Sequence, residues 1–290
     1  KDIGIYVVIE QVDENFLARQ LGEKSKNSLL MKPDTTANWQ SPGEDPALYE
    51  DAFGIKEGAD NQDQIRQFAD FLSLINESPE ATFAKEIGQK MDLDLYAGYL
   101  AATSALASLD SYVAAPHNYY LVLDKADSKV RLLPWDVNEA FGTHTMGTSP
   151  QELVKWDIIR PWTREIPLLE RLFATSQFRE LYQKKLTNLM KETFTEEHLF
   201  SRIATFENAL KPHLSKTELA DFRTGLEGSL PGKNSTSDQG AFAIKPFIQR
   251  RIASITSQLT GKSKGTKIEE RQGRPGPGRR AEAPQDRPRK

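Results

Sequence analysis

The chain has 290 residues, more than an ordinary single domain of about 100–200 residues, and 38% of them are hydrophobic, enough to fill a sizeable core. Cysteine is absent, which excludes disulfides, thiolate metal sites and a cysteine nucleophile, and the four histidines include no pair at i,i+4. The formal net charge is −3, and no apolar run reaches the length of about 18 residues that a membrane-spanning helix needs.

The first element expected is a strand over residues 4–9, from the β-branched run Ile5-Tyr6-Val7-Val8-Ile9. With that strand at the very start, the chain is expected to begin inside a domain, and any export signal to lie ahead of Lys1. Asp13 is positioned to cap a helix ending near Gly22. Residues 33–61 are rich in Pro, Gly, Asp and Asn and read as loop. Ile65, Phe68, Ala69, Leu72 and Ile75 then follow helical spacing, with Asp or Asn at 60–63 to cap the start, and further helices are expected at about 79–89 and from Asp92 to about Leu109. The last has an alanine-rich second half suited to close packing. After residue 150 the pattern is helical throughout: 165–174, 176–192, 195–212, 215–226 and 241–259, punctuated by Pro161, Pro167, Pro212 and Pro231.

Residues 261–290 carry ten basic and four acidic side chains, with no large apolar residue after Ile268. Such a segment cannot bury enough surface to order itself, so the reading is a body over residues 1–260 and a disordered basic tail over 261–290. Its functional reading is a hold on an anionic polymer, and beside it stands the plain reading of a solubilising or linker tail. Nucleic acid is disfavoured, because no aromatic residue is interleaved for stacking.

The chemistry concentrates between Leu109 and Gly142. Asn118 to Leu123 and Lys129 to Leu133 read as a β-hairpin around the turn residues 124–128. A turn centred near residue 126 sets Asn118 across from about Pro134. Asp136 then leaves the hairpin at the end where Asn118 enters, and Asp110 ends the preceding helix eight residues before Asn118. Three oxygen-bearing side chains can converge there, as a hard cation such as Mg²⁺ requires. A structural reading stands beside this one: Asp110 ending a helix, Asn118 as a polar hairpin edge, Asp136 capping a short helix at Asn138-Glu139-Ala140-Phe141.

The phrases GIYVVIEQVDENFL (4–17), LDSYVAAPHNYYLVLD (109–124), RLLPWDVNEAFG (131–142), IPLLERLFATSQFRELYQKKL (166–186) and IKPFIQRRIASITSQL (244–259) together resemble the spore coat protein H (CotH) kinase family over roughly residues 3–260. The resemblance implies an α+β, atypical protein-kinase-like fold with a truncated small lobe. It further implies ATP bound with Mg²⁺ or Mn²⁺ between two lobes, and phosphorylation of protein serine or threonine. Family members act on spore coat proteins, so a secreted, coat or surface location and a protein substrate, Ser-rich and basic, are expected. Asp110 matches the family's catalytic aspartate, Asn118 its metal-binding asparagine and Asp136 its metal-binding aspartate. Backbone around Glu10, Gln11 and Val12 matches the hinge that meets adenine.

The chain departs from the family pattern in three ways. Asp110 and Asn118 are eight residues apart, longer than the D-L-x-x-x-N spacing of ordinary kinases, which an outward bulge around Val113-Ala114-Ala115-Pro116 would absorb. Asn138 stands where the family often has a second acid. The segment bearing the nucleotide-binding lysine is expected ahead of Lys1, and Lys32, after Leu29-Leu30-Met31, reads as a strand-end lysine. Trp135 and Phe141 are expected in the core beneath the site, His117 as an orienting hydrogen-bond partner and His144 as a loop residue. Arg171, Arg179 and Arg250 receive no role. The alternative function is a non-catalytic, pseudokinase-like coat, matrix or surface interaction module on the same fold.

Overall fold

The computed structural model describes residues 5–33, 39–228 and 243–269. Among them the chain forms eleven α-helices and one four-stranded antiparallel sheet, an α+β architecture. Asp13 caps α1 (Glu14–Leu21), its carboxylate accepting from the amides of Asn15 and Phe16 at 2.9 Å.

The expected strand over residues 4–9 does not form among the described residues. Residues 5–9 run alongside no other strand and are exposed, Val8 to 95%. A β-branched run becomes a strand only where a neighbour satisfies its backbone groups, and local pattern cannot supply that neighbour.

The region read as loop also holds more structure than expected. Strand β1 (Leu29–Met31) is followed by α2 (Ala47–Phe53) and β2 (Ile55–Glu57). Two buried aromatics, Tyr49 and Phe53, hold this segment on Phe68, the Phe53 and Phe68 rings meeting edge to face at 4.9 Å. Two rings among turn-forming residues were too sparse a signal for periodicity.

Helices α3 (Gln62–Asn76), α4 (Glu80–Lys90) and α5 (Leu93–Leu106) lie close to their expected positions. Strands β3 (Tyr119–Leu123) and β4 (Val130–Pro134) make the expected hairpin, and the sheet order is β2-β1-β3-β4. Its register is one residue off the expected one, because Tyr119 pairs with Pro134 and Asn118 faces Trp135. The turn sets this shift: Asp124 and Lys129 close it through a 2.9 Å hydrogen bond, with Ser128 left-handed at φ 57°. Arg131 fastens the hairpin to α5, its guanidinium reaching Asp124 at 2.8 Å, Asp127 at 2.6 Å and Asp92, the α5 cap, at 3.3 Å.

The short helix α6 (Pro150–Val154), closed by a Ser149–Glu152 capping box, leads into α7 (Pro167–Ala174), α8 (Ser176–Glu192), α9 (Glu196–Leu210), α10 (Lys216–Glu227) and α11 (Ile244–Leu259). Pro231 lies outside the described residues. Helix α8 packs on α5. Arg251 of α11 is wholly buried and donates to the carbonyls of Ser104, Val154 and Trp156 at 2.8–2.9 Å, tying α11 to α5 and to the end of α6. Burial pulls its pKa down to about 10, partly opposed by Tyr182 and Asp157.

Residues 261–269, expected to belong to the tail, are held against the body. Thr266 pairs with Trp156 and exchanges backbone hydrogen bonds with Lys155 and Asp157 at 2.7 and 3.0 Å, and Ile268 is buried. Backbone pairing and one apolar anchor hold residues that composition alone marks as tail. Residues 270–290 lie outside the described residues.

Candidate functional site

The site is assembled where α5 stops. Ala107 takes the left-handed conformation at φ 49° and the amide of Ser108 bonds back to Thr103 at 3.1 Å, so the helix turns off at Leu106 rather than Leu109. Leu109 is buried, and Asp110 follows on the extension, three residues past Ala107, with its side chain 20% exposed.

The segment between Asp110 and Asn118 turns inward, not outward. Ser111 accepts from the amides of Ala114 and Ala115, Tyr112, Val113 and Ala114 are buried, and the Val113 carbonyl accepts from Thr163 at 3.0 Å. The extra residues fill core. Their apolar side chains gain more from burial than from standing in water, and the compact turn still returns Asn118 to Asp110. The amide nitrogen of Asn118 donates to the Asp110 carboxylate Oδ2 at 2.8 Å and to its carbonyl at 3.0 Å. His117 Nε2 lies 3.2 Å from Oδ1 of the same carboxylate. His117 is thus an orienting partner.

Asn118 is left-handed at φ 61°, and its carbonyl accepts from Trp135 at 3.0 Å. Asp136 therefore sits one residue beyond the last hydrogen bond of the hairpin, itself left-handed at φ 51°. Its side chain is exposed and hydrogen-bonds neither Asp110 nor Asn118 among the described residues. Asp110 and Asn118 are joined directly, whereas Asp136 is brought to the same end of the hairpin by its backbone. Positive φ at both Asn118 and Asp136 is a conformation that surrounding structure must enforce. Phe141, at φ 57°, donates from its amide to the Leu106 carbonyl at 2.9 Å, which ties the exit of the hairpin to the end of α5.

Both hydrogens of the Asn118 amide are used by Asp110, so Oδ1 is the atom of that side chain able to meet a cation. No cluster of three or more His, Cys, Asp or Glu suited to a metal occurs among the described residues. The donor set is one amide oxygen and one exposed carboxylate, Asp136, which fits a hard cation that keeps water and phosphate in its shell and does not fit a fully caged ion. Burial pushes the phenol of Tyr112 well above its usual range and that of Tyr99 up to about 12. Neither phenol can accept a proton at ordinary pH.

Lys32 is placed by the sheet rather than by its neighbours in sequence. At the end of β1 its ammonium stands 5.3 Å from the Tyr120 ring and 5.0 Å from the Trp135 ring, which meet edge to face at 5.3 Å. Lys32 is therefore a neighbour of the residue preceding Asp136, a link spanning about a hundred positions that only strand order reveals. Trp135 packs partly buried against the smaller cluster of Val12, Leu17, Leu30, Tyr120 and Val122. Phe141 packs against the main core. Of the hinge candidates, Val12 is buried in that smaller cluster, Glu10 pairs with Arg19, and Gln11 is exposed.

The family model described as CotH kinase protein matches residues 1–255. The inner spore coat protein H of Bacillus subtilis (strain 168) is 26% identical over 216 residues, which is 73% of this chain and 56% of that relative. The chain thus spans little more than half the length of the curated relative it matches.

Proposed function

The chain belongs to the CotH kinase protein family, and from that premise we propose that it is an atypical protein kinase transferring phosphate from ATP to serine or threonine of a coat or extracellular protein. The reading rests above all on the contact of Asp110 with Asn118, made in spite of their longer separation, beside the hairpin end that carries Asp136.

Each residue has a task. The Asp110 carboxylate, held by His117 and Asn118, takes the proton from the substrate hydroxyl. Oδ1 of Asn118 and the carboxylate of Asp136 hold Mg²⁺ or Mn²⁺. Backbone around Glu10, Gln11 and Val12 meets adenine, with the buried Val12 side chain anchoring that stretch on the sheet. ATP supplies the transferable phosphoryl group and the cation neutralises the charge that spreads over it. Positioning and charge neutralisation are the main demands of such a transfer, so a small set of side chains suffices. The kinase-like reading of the fold takes the stretch up to Val12 as the end of a truncated small lobe, the β3–β4 hairpin as the site, and the mostly helical remainder as the large lobe.

Kinship with a protein named for the inner spore coat supports a coat setting; the substrate we propose there is a Ser-rich, basic protein. The basic residues beyond Glu269 suit an anionic polymer.

A non-catalytic interaction module is the second reading. It is favoured by the engagement of both Asp110 carboxylate oxygens within the protein and by the neutral, exposed Asn138. Incubation with labelled ATP, Mg²⁺ or Mn²⁺ and a Ser-rich basic protein, beside Asp136→Ala, separates the two. The kinase reading expects transfer that the substitution abolishes. Transfer that survives it, or no transfer together with no nucleotide-induced thermal shift, counts against an enzyme.

A further inference from the structure

Away from Asp110, a groove of about 510 Å³ opens along α8. Arg179, Gln183, Leu186, Thr187, Met190 and Lys191 line it from α8 at steps of three and four, a single stripe down the helix. The facing wall is the end of α11, with Leu259, and the loop carrying Ile159, which is 65% exposed at the mouth. Phe173 closes one end. The floor is apolar, and the stripe from Arg179 to Lys191 is about 18 Å long at about 1.5 Å per helical residue.

The charges of this groove are one-sided. Arg179 and Lys191 stand at its two ends, and among the described residues no carboxylate lines it. Arg179 is held in place by donating to the carbonyls of Phe173 and Ala174. The surrounding body is acidic, because residues 270–290 hold seven basic and three acidic side chains while the whole chain carries −3. That basic stretch is a poor occupant: it has the same sign as both ends of the groove and offers no apolar side chain larger than proline or alanine.

We propose that the groove docks an amphipathic helical segment of a partner protein, about three turns long, with apolar anchors at i, i+3 or i+4 and i+7 and acidic residues at both ends. Apolar anchors seat on Met190, Leu259 and Ile159, and the acidic ends meet Arg179 and Lys191. This is the helix-in-groove mode of peptide recognition, and charge at the rim sets which partner is accepted. It is independent of phosphoryl transfer.

Fluorescence anisotropy on the full chain tests it with two labelled helical peptides that share leucine anchors, one ending in glutamates and the other in lysines. The glutamate peptide is expected to bind saturably and at least tenfold more tightly than the lysine peptide. Ile159→Asp is expected to weaken it at least tenfold, and Lys191→Glu to weaken it while improving the lysine peptide. Both side chains are exposed, and thermal melts of the variants matching the parent show that folding is kept. No saturable binding, equal affinity for the two peptides, or indifference to both substitutions overturns the proposal. So does binding that depends instead on residues 270–290.

Discussion

Gly142→Ala is the most quantitative perturbation near the site. Gly142 has φ 81°, and a Cβ there would stand 2.6 and 2.8 Å from two ring carbons of Phe247. An L-residue in the left-handed region costs about 1–2 kcal/mol, and forcing volume into a packed core costs a further 1–3 kcal/mol or so. Phe247 is fully buried, so the ring cannot swing into solvent to relieve the clash. The expected loss is about 2–5 kcal/mol, or roughly 4–20 °C in Tm at about 2–4 °C per kcal/mol for a body of this size. Urea unfolding followed by far-UV circular dichroism measures it. The double mutant with Phe247→Leu separates the two contributions, since a smaller partner should recover the steric share, a coupling of about 1–3 kcal/mol, and leave the backbone share. A Gly142→Ala protein within about 0.5 kcal/mol of the parent, the range of neutral surface changes, or strictly additive effects, would refute the reasoning. Because Phe141 ties this turn to Leu106, the same substitution should also lower transfer.

Asn118→Ala removes both donors to Asp110 and puts a non-glycine, non-polar residue at φ 61°; an equilibrium melt should show a loss of about 1–3 kcal/mol, and labelled-ATP transfer should vanish. Arg251→Met strands the carbonyls of Ser104, Val154 and Trp156, and denaturant unfolding should report about 3–5 kcal/mol of destabilisation. The hydrogen bond from Arg131 holds the Asp127 carboxyl below its ordinary value of 3.8. A group with a lowered folded pKa contributes its full stability above the unfolded value and loses it as pH falls through the folded one, so the parent should weaken below about pH 4, and Arg131→Gln should flatten that acid limb in melts across pH.

Where the sequence was legible, a strong local signal agreed with the tertiary answer. Asp13, Asn61 and Asp92 each cap the helix that follows them, because an N-cap is decided within four residues. The hairpin was visible because its turn residues separate two apolar strands, but its register was not, since Ser128 takes a positive φ that spacing does not reveal. Residues 5–9 failed as a strand for lack of a neighbour, and β1 and β2 are too short for a pattern of their own.

The closeness of Asp110 and Asn118 was legible in the hairpin pattern, but the path of the chain between them was not. The turn that unites them hides Tyr112, Val113 and Ala114 in the core, and burial of a loop depends on what lies opposite it. Lys32 illustrates the limit, since its place between Tyr120 and Trp135 follows from the non-sequential order of β1 and β3.

Anomalous diffraction from crystals grown with Mn²⁺ and a non-hydrolysable ATP analogue tests the central claim most directly. The account predicts a manganese peak at the hairpin end, with Asn118 Oδ1 and an Asp136 carboxylate oxygen at about 2.0–2.6 Å, the range of hard-cation ligation, and Asp110 beside it without ligating it. A nucleotide and metal seated elsewhere, with Asn118 and Asp136 both bound to water alone, would contradict it.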